Sequence, residues 1–350
     1  MKKVMQIHFW ASIKNTAGSV EKVIFSFAKN CQKYTHVIAC LEKNNCIYHY
    51  NDIPIFGFTE DYWKNKIQNK FFRLKVFTYS KLIKIIETEK PEILHIHNRQ
   101  ELVDKLLSTL NYRPKIFVHY HKYFPEPIIP KSADCLITVS QSVKDSIIEK
   151  TKTTKPIKAL YNPLSEELIK LNQQPLKENK IPKLIYGGGH GEHKGIKELL
   201  SAVEKMGDGF TLLLAGNELQ NILITNPKIT NLGLLTAKEF LHHMYESDIV
   251  VMPSHYEAFG LVALEAMYLK KILVCTKIDG LSEFVDEQCA VIVKPKNVDS
   301  LVAGLKKAID MVNLNGQDFH KITGNAYQVA EKFLPEIIAA QLEEIYQEFD

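Results

Sequence analysis

Strand-like apolar runs alternate with amphipathic helical stretches along almost the whole chain. In the first half, KVMQIHFW and THVIACLE are rich in apolar and β-branched residues, and VEKVIFSFAKNC between them has helical periodicity. The second half repeats the scheme with PKLIYGGG, FTLLLAG, DIVVMPS and KILVCT, separated by helical stretches such as GIKELLSAVEKM. This alternation is typical of parallel α/β sheets. We therefore predict an α/β fold with a doubly wound, Rossmann-like open sheet in each half.

The length of 350 residues suggests two domains of ordinary size. The stretch LYNPLSEELIKLNQQPLKENKIPK contains three prolines and has little periodicity, which favours a domain boundary there. We predict an N-terminal domain over 1–163 and a C-terminal domain over 164–325. A final helical segment over 326–350, with a break near Pro335, is expected to pack back toward the N-terminal domain.

The composition, 45% hydrophobic and 24% charged, is that of a soluble globular protein. No apolar run reaches the roughly 18 residues of a membrane span, and the start MKKVMQIHFW indicates a first strand rather than a signal peptide. The six cysteines are scattered without a CxxC pair. We therefore expect a cytoplasmic protein with reduced thiols and no zinc site.

The stretch SHYEAFGLVALEA follows the predicted strand DIVVMPS and carries two carboxylates, Glu257 and Glu265. Gly260 permits a close backbone approach, and the free N–H groups of a helix starting near Leu261 suit a phosphate. A carboxylate in that helix suits sugar hydroxyls instead. The pattern indicates a ligand that is part anion and part polyol. The alternative is a pair of ordinary solvated glutamates.

Two glycine-containing loops are further candidate anion sites. In LIYGGGHGEHKGIKELL, a strand runs through Gly188 and Gly189 to Lys194 and then into a helix, so backbone and ammonium could both meet a diphosphate. This loop is neither GxxxxGK[ST] nor GxGxxG, and a plain strand–helix turn is an equal alternative. Gly18, in NTAGSVEKV before the first helix, is a weaker candidate because Gly-Ser also caps helices.

Histidines alternate with apolar residues at the ends of two predicted strands. His119 and His121 in KIFVHYH should share one face, as should His95 and His97 in EILHIHN. Such pairs can bind a metal, but no acidic or cysteine partner lies nearby in sequence. We predict no metal; in view of the other motifs, a histidine that contacts a polyol ligand is the more attractive interpretation.

Taken together, these motifs resemble retaining glycosyltransferases of the GT-B architecture, in particular glycosyltransferase family 4. The family's E-x7-E element is matched by EAFGLVALE, its KG turn by Lys194-Gly195, its first glycine loop by Gly18 and its N-domain histidine by His121. ADCLITVSQSVKDSI and KIDGLSEFVDE match further segments, in the right order over nearly the whole chain. The resemblance implies two Rossmann-like domains facing a central cleft.

The resemblance also implies roles for these residues. A nucleotide-diphosphate sugar would bind mainly to the C-terminal domain, with UDP as the commonest donor in the family. Glu265 would bind the ribose, Glu257 and His121 the transferred sugar, and Lys194 the departing diphosphate without a metal or other cofactor, in keeping with the absence of Asp-x-Asp. Further donor contacts are expected from the following residues: Gly18, Gly188, Gly189, Gly216, Leu234, Phe259, Gly260 and Leu261.

The chain departs from the family pattern at three places. Gly189 stands near the position where many members carry an arginine, which puts more weight on Lys194. Ala17-Gly18 replaces the usual Gly-Gly of the first loop, and Leu281 replaces the second glycine after Gly280.

Charge points to an acceptor site in the N-terminal half. Residues 1–165 hold 26 Lys and Arg against 14 Asp and Glu, a net of +12, and the remainder nets −8. Residues 62–84 contain seven Lys or Arg and no acid, interleaved with aromatic residues. We expect an anionic membrane face and a lipid-linked or lipopolysaccharide-type saccharide acceptor there, with Lys64, Lys66, Lys70 and Arg73 as contacts. A solvated helix face is the alternative, and no nucleic-acid module is present.

Three other functions compete with this one. A nicotinamide or flavin oxidoreductase would share the sheet pattern, but the chain lacks GxGxxG. A catalytically silent binding subunit of a glycan-assembly complex fits Gly189. Another GT-B enzyme, such as an inverting transferase, would differ in the configuration of its product.

Overall fold

A computed structural model of the chain describes residues 1–9, 19–59, 79–174, 179–188, 191–217, 219 and 224–350. It divides into two compact units: unit 1 comprises Met1–Tyr161 and Pro335–Asp350, and unit 2 comprises Asn162–Leu334. The boundaries predicted from the sequence lay after residues 163 and 325, whereas the division by contacts falls after Tyr161 and Leu334. Pro335 is the first residue of the last helix, where its missing N–H costs nothing.

Unit 1 is built on a sheet with eight described strands in the order β3-β4-β2-β1-β5-β6-β7-β8. All neighbours are parallel except β3 and β4. The strands are β1 (Lys2–His8), β2 (Tyr34–Leu41), β3 (Cys46–Tyr50), β4 (Ile53–Phe58), β5 (Ile93–His97), β6 (Lys115–Tyr120), β7 (Cys135–Thr138) and β8 (Ile157–Ala159).

The helices of unit 1 cover a sheet whose central strands are buried along their length, as parallel sheets require. They are α1 (Ser19–Asn30), α2 (Ser80–Glu89), α3 (Val103–Ser108), α4 (Gln141–Thr151) and the C-terminal α12 (Pro335–Gln347). Helix α12 packs against α1 and inserts Tyr346, which is 0% exposed, among the aromatic rings beneath β2, β5 and β6.

Unit 2 contains six described strands in the order β11-β10-β9-β12-β13-β14, all parallel. They are β9 (Lys183–Gly187), β10 (Thr211–Ala215), β11 (Ile229–Gly233), β12 (Ile249–Met252), β13 (Ile272–Thr276) and β14 (Val291–Val293). The helices are α5 (Glu166–Asn172), α6 (Ile196–Lys205), α7 (Ala237–Tyr245), α8 (Leu261–Tyr268), α9 (Asp279–Ser282), α10 (Val298–Leu314) and α11 (Gln317–Ala330).

The predicted fold class is confirmed, and every strand that the periodicity singled out is present. Strands β8, β11 and β14 were not predicted, nor was the β3–β4 hairpin. Its turn, Asn51-Asp52, has both residues at positive φ, +47° and +66°, and such Asn/Asp pairs are a known hairpin signal. Within the described ranges, no helix is both long enough and apolar enough to cross a membrane.

Candidate functional site

Four neighbouring strands of unit 2 end on one edge of the sheet and carry most of the residues predicted to bind the donor. Gly188 follows β9, Gly216 follows β10, Leu234 follows β11, and Glu257 lies in the loop after β12. Because these strands are parallel and adjacent, their carboxyl ends meet at the edge where open α/β sheets bind ligands. The sheet therefore gathers four separate sequence motifs at one place.

Glu257 is the centre of this group. Its Oε1 atom accepts hydrogen bonds from Nζ of Lys194 at 2.7 Å and from Oγ of Ser254 at 2.8 Å. Ser254 is itself held by the hydroxyl of Thr276, which donates to its carbonyl oxygen. The carboxylate side chain is 12% exposed and the lysine side chain 29% exposed, so both can still meet a ligand. The sequence proposed both residues but not their pairing.

The turn that carries Lys194 requires glycine at its end. Gly195 has φ +69°, and a Cβ atom there would lie 2.0 Å from the carbonyl oxygen of Pro253. Lys194 therefore sits in a short 3₁₀ turn, Glu192–Lys194, packed directly against the chain leaving β12. Glycine at 195 is what permits the ammonium to reach Glu257.

Three more contacts, none of them predicted, join the Lys194 turn and the helix α6 that follows it to the Glu257 loop. The N–H of His255 donates to the carbonyl of His193 at 2.7 Å, and Nε2 of His255 lies 3.0 Å from Oε1 of Glu198. The rings of His193 and Tyr256 stack with their centroids 4.6 Å apart. Burial and the neighbouring charge of Lys194 lower the pKa of His193, which favours a neutral ring. Nothing in the local sequence predicts that residues 192–194 and 254–257 lie side by side.

The helix after Glu257 begins where the sequence predicted. Gly260 has φ +104° and precedes α8. A Cβ atom at Gly260 would lie 2.2 Å from Cδ2 of Leu281. A Cβ atom at Gly280 would lie 2.2 Å from the carbonyl oxygen of Glu257. The segment around Gly280 thus packs directly against the Glu257 loop. The side chain of Leu281 fits there because residue 260 is a glycine.

Glu265 and Phe259 differ in what they can offer a ligand. Glu265 lies in the second turn of α8 and is 3% exposed, so a carboxylate is held at a protected position of the helix. The ring of Phe259 packs on Phe284 and Phe333, with centroid distances of 5.0 and 5.9 Å. The ring of Phe259 is thus used in apolar packing, and a ligand contact by the backbone N–H groups of residues 259 to 261 stays a prediction.

The glycines after β9 and β10 use their N–H groups within the protein. Gly188 donates to the carbonyl of Ala215 at 2.9 Å, and Gly216 donates to the carbonyl of Gly233 at 2.8 Å. These N–H groups extend the sheet, so they do not point at a phosphate. Both glycines are partly exposed. A Cβ atom at Gly188 would lie 2.6 Å from the hydroxyl of Tyr186, so the backbone there packs closely against that side chain. Leu234 is 65% exposed at the neighbouring strand end.

Several predicted residues fall outside the described residues. They are Gly18 of the first loop, Gly189 of the second, and the basic residues Lys64, Lys66, Lys70 and Arg73. Their proposed roles stay predictions.

In unit 1, His121 follows β6, next to the end of β5, which carries His97, and near His8 of β1. His121 is partly exposed, and its Nε2 atom lies 2.8 Å from Nδ1 of His97. Burial and the charge of nearby His8 lower the pKa of His121 to about 3, so its ring is neutral at physiological pH. His8 in turn contacts Glu21 of α1 at 3.1 Å. The sequence had singled out neither His8 nor Glu21.

Three buried histidines of unit 1, His95, His97 and His119, have ring nitrogens within 4.8 Å of one another, which is the spacing of a possible metal site. These rings are already hydrogen-bonded to other side chains: His95 to Tyr346 at 2.6 Å and to His119 at 3.2 Å, and His97 to Gln6 at 2.7 Å. The group contains no carboxylate or cysteine. The geometry is that of a hydrogen-bonded network of neutral imidazoles, since burial lowers the pKa of all three.

Two family models match the chain one after the other. Residues 20–168 match "Glycosyltransferase Family 4" and residues 169–328 match "Glycosyl transferases group 1".

Individual relatives agree with these matches. A lipopolysaccharide 1,2-N-acetylglucosaminetransferase of Salmonella typhimurium is 27% identical over 94% of this chain and 93% of its own. A capsular polysaccharide biosynthesis glycosyltransferase, CapM of Staphylococcus aureus, is 25% identical over 77% of this chain and 80% of its own. The crystal structure of Anabaena Alr3699/HepE in complex with UDP and glucose superposes with a TM-score of 0.72 at 19% identity, over 99% of this chain and 100% of the other.

The matches confirm the GT-B fold and the enzyme class that the sequence predicted, a hexosyltransferase. The chain is thus a glycosyltransferase in which a match to a glycosyltransferase family 4 domain is followed by a match to a group 1 glycosyltransferase domain.

Proposed function

We propose that this chain transfers a hexose or N-acetylhexosamine from a nucleotide-diphosphate sugar to a saccharide acceptor, with retention of configuration and without a metal ion. The observation that carries the proposal is the 2.7 Å ion pair between Lys194 and Glu257 at the carboxyl ends of the strands of unit 2. It joins the KG turn and the E-x7-E loop into one site that offers a cation for a diphosphate and carboxylates for hydroxyl groups.

The charges of the site suit a glycosyl transfer. Glu265 accepts hydrogen bonds from the ribose hydroxyls, and Glu257 accepts them from the transferred sugar. As the bond between the anomeric carbon and the diphosphate oxygen breaks, the bonding electron pair leaves with the diphosphate. Lys194 stabilises the negative charge that builds there, which is the type of electrostatic effect that dominates many enzymes. Its ammonium takes the place that a metal ion has in other transferases.

Retention places the acceptor on the face that the diphosphate leaves. The acceptor hydroxyl oxygen forms the new bond to the anomeric carbon, which has oxocarbenium character at that moment. The departing diphosphate oxygen is the base nearest to the acceptor hydroxyl on that face, so it receives the proton. This sequence of events needs no protein nucleophile, and Glu257 is free to bind the sugar.

Two comparisons support the choice of donor and acceptor. The HepE structure, which has a similar fold, was determined with UDP and glucose. The Salmonella and Staphylococcus relatives are named for lipopolysaccharide and capsular polysaccharide synthesis. We therefore propose UDP as the nucleotide and a lipid-linked, lipopolysaccharide-type or capsule-type glycan as the acceptor.

A silent binding subunit is the second candidate function. Glycine at 189, where related enzymes often carry arginine, leaves the loop before the KG turn without that charge. In that case the chain would bind a nucleotide sugar or a glycan but would not transfer the sugar.

A thermal-shift titration with UDP, GDP, ADP and CMP, with and without EDTA, tests the donor site. A ligand that binds the folded state raises the Tm in proportion to RT ln(1 + [L]/Kd). We expect UDP to raise the Tm equally with and without EDTA, and Glu265→Ala to abolish this rise. Glu239→Ala is the matched control, since Glu239 closes a capping box on α7 and should lower the Tm without changing the response to UDP.

Transfer itself is tested with radiolabelled UDP-glucose, UDP-galactose and UDP-N-acetylglucosamine and a panel of truncated lipopolysaccharide and capsule oligosaccharides. A product with inverted anomeric configuration by NMR would exclude the retaining mechanism. Binding of UDP without transfer or hydrolysis of any donor would favour the silent subunit.

A further inference from the structure

Two hydrogen bonds connect the buried sheet of unit 1 to His121. Gln6 of β1, His97 of β5 and His121 after β6 lie on three neighbouring strands. Nε2 of His97 is 2.7 Å from Oε1 of Gln6, and Nδ1 of His97 is 2.8 Å from Nε2 of His121. Gln6 and His97 are both 0% exposed. In such a site water does not compete for the bonds, so each donor needs its acceptor within the protein.

These contacts determine where the protons lie. The amide oxygen of Gln6 can only accept, so Nε2 of His97 must carry the hydrogen. His97 is neutral because burial and the neighbouring histidines keep its pKa well below the ordinary value, and a neutral imidazole carries one N–H. Nδ1 of His97 is therefore an acceptor, and Nε2 of His121 must be the donor to it. The second nitrogen of His121, Nδ1, then carries a lone pair.

Two further contacts of the Gln6 amide fit this orientation. Its nitrogen donates to Nδ1 of His36 at 3.1 Å and to the hydroxyl of Tyr346 at 3.3 Å. That hydroxyl also lies 2.6 Å from Nδ1 of His95, with which it shares a hydrogen bond. The C-terminal helix α12, which carries Tyr346, thus helps to orient the amide that orients His97.

Nδ1 of His121 is available to a ligand. Across the described part of the chain no side chain or backbone group is seen to hydrogen-bond to it, and His121 is partly exposed. The backbone N–H of His121 is held by Oδ1 of Asn98 at 2.9 Å, so the residue is fixed at both ends. A ring held in this way, with a lone pair on Nδ1 that no described group is seen to use, is a hydrogen-bond acceptor suited to a hydroxyl group.

We propose that His97, oriented by Gln6, is a positioning residue that holds His121 as its Nε2–H tautomer, so that Nδ1 accepts a hydrogen bond from a hydroxyl of the bound sugar. The sugar contact rests on the proposed function, whereas the tautomer does not.

The tautomers can be read directly in the full-length protein labelled with ¹⁵N-histidine. Long-range ¹H–¹⁵N correlation spectra at pH 7.5 distinguish the Nε2–H form, the Nδ1–H form and a mixture of both. The variants His97→Gln and His121→Gln assign the two residues, and exposed His49 and His320 supply the pattern of an unconstrained ring in the same sample. We expect His97 and His121 each as a single Nε2–H tautomer.

A matched pair of variants tests whether His97 is what holds His121 in the Nε2–H form. His97→Gln keeps one donor and one acceptor in the buried site, and His97→Leu keeps neither. His121 should stay in the Nε2–H form in the first variant and become a mixture in the second. Where transfer is measurable, His97→Leu should lower kcat on the order of tenfold, the effect of about one hydrogen bond, with KM for the donor within about twofold. His97→Gln should restore most of kcat, a rescue that a purely packing role would not produce.

The outcomes separate this inference from the proposed function. His121 as the Nδ1–H tautomer in the wild type would mean that the Gln6 amide points the other way, and it would overturn the proposal. An unchanged tautomer of His121 in His97→Leu would overturn it as well. If UDP stabilises the protein but no nucleotide sugar shifts the Nδ1 resonance of His121, the sugar contact is wrong. If UDP itself has no effect, the failure lies in the proposed function.

Discussion

The ammonium of Lys194 lies 2.7 Å from Oε1 of Glu257, although the two residues are 63 positions apart in sequence. The same carboxylate oxygen also accepts from Ser254. An anionic ligand in this site meets a lysine that is already oriented, and a carboxylate whose charge is partly offset. For the nucleotide sugar that we propose as the ligand, the pair would offer the ammonium to the phosphates and the carboxylate to hydroxyl groups.

Replacing Lys194 should impair turnover far more than stability. We expect Lys194→Ala to lower kcat by about 10²- to 10³-fold, the range found when a group that stabilises transition-state charge is removed. Lys197→Ala is the matched control, because Lys197 makes an exposed ion pair with Glu192 at 2.9 Å, and exposed pairs contribute little. Initial rates with a saturating donor would show the difference. Equal rates for the two variants would contradict the role of Lys194 at the diphosphate.

Replacing Gly195 with Ala, which adds one methyl group, should disrupt the turn that carries Lys194. The φ of +69° at Gly195 and the 2.0 Å approach of the Pro253 carbonyl leave no room for Cβ, so Gly195→Ala should cost roughly 1–3 kcal/mol. Gly207→Ala should change the free energy of unfolding by less than about 0.5 kcal/mol, since nothing lies within 4 Å of a Cβ there. Urea denaturation measures both changes. We further expect Gly195→Ala to weaken UDP stabilisation, and an unaltered response to UDP would argue against the turn as part of the site.

The buried histidines of unit 1 should make the protein sensitive to mild acid. Burial lowers the pKa of His36 to about 3 and keeps the pKa values of His95, His97 and His119 well below the ordinary 6.5. Below pH 6.5 the unfolded chain binds protons that the folded chain does not, so stability is lost as the pH falls and is fully present above about pH 7. The pKa of His121 is also lowered to about 3, and five such groups correspond to a slope of about 7 kcal/mol per pH unit well below pH 6.5.

Urea midpoints at pH 7.5, 6.5, 5.5 and 5.0 would measure this slope. His36→Leu should reduce the slope by the contribution of about one proton, because His36 is 5% exposed and is one of the five histidines counted. Urea midpoints that do not change between pH 7.5 and 5.0 would show that these rings accept protons in the folded state.

The basic segment around residues 64–73 should bind anionic membranes. It lies outside the described residues, so this prediction rests on the sequence, with seven Lys or Arg and no acid over residues 62–84. Replacing Lys64, Lys66, Lys70 and Arg73 with Gln should weaken co-sedimentation with phosphatidylglycerol liposomes, by about 1 kcal/mol per basic residue near the surface. The control replaces four exposed lysines of unit 2 with Gln, namely Lys294, Lys296, Lys306 and Lys307. Equal losses in both variants would indicate an effect of net charge alone.

The sequence by itself determined the alternation of strands and helices that defines the fold class, and the edge of the sheet where a ligand would bind. Both follow from local information, because hydrophobic periodicity distinguishes strands from helices and parallel sheets place their binding edge at the carboxyl ends of strands. Glu257, Lys194 and His121 could be singled out on this basis, since each follows a strand. The Asn51-Asp52 turn was also readable and was overlooked.

Only the tertiary structure decided which of these residues meet. The pairing of Lys194 with Glu257, the packing of Gly280 beneath the loop and the stacking of His193 on Tyr256 join segments that are far apart in the chain. The same is true of Gln6 and His97, whose strands are neighbours only because β1 and β5 pair in the sheet. Periodicity reports which face of an element is buried, but the partner across a sheet or turn depends on the topology and on close packing, to which residues far along the chain contribute.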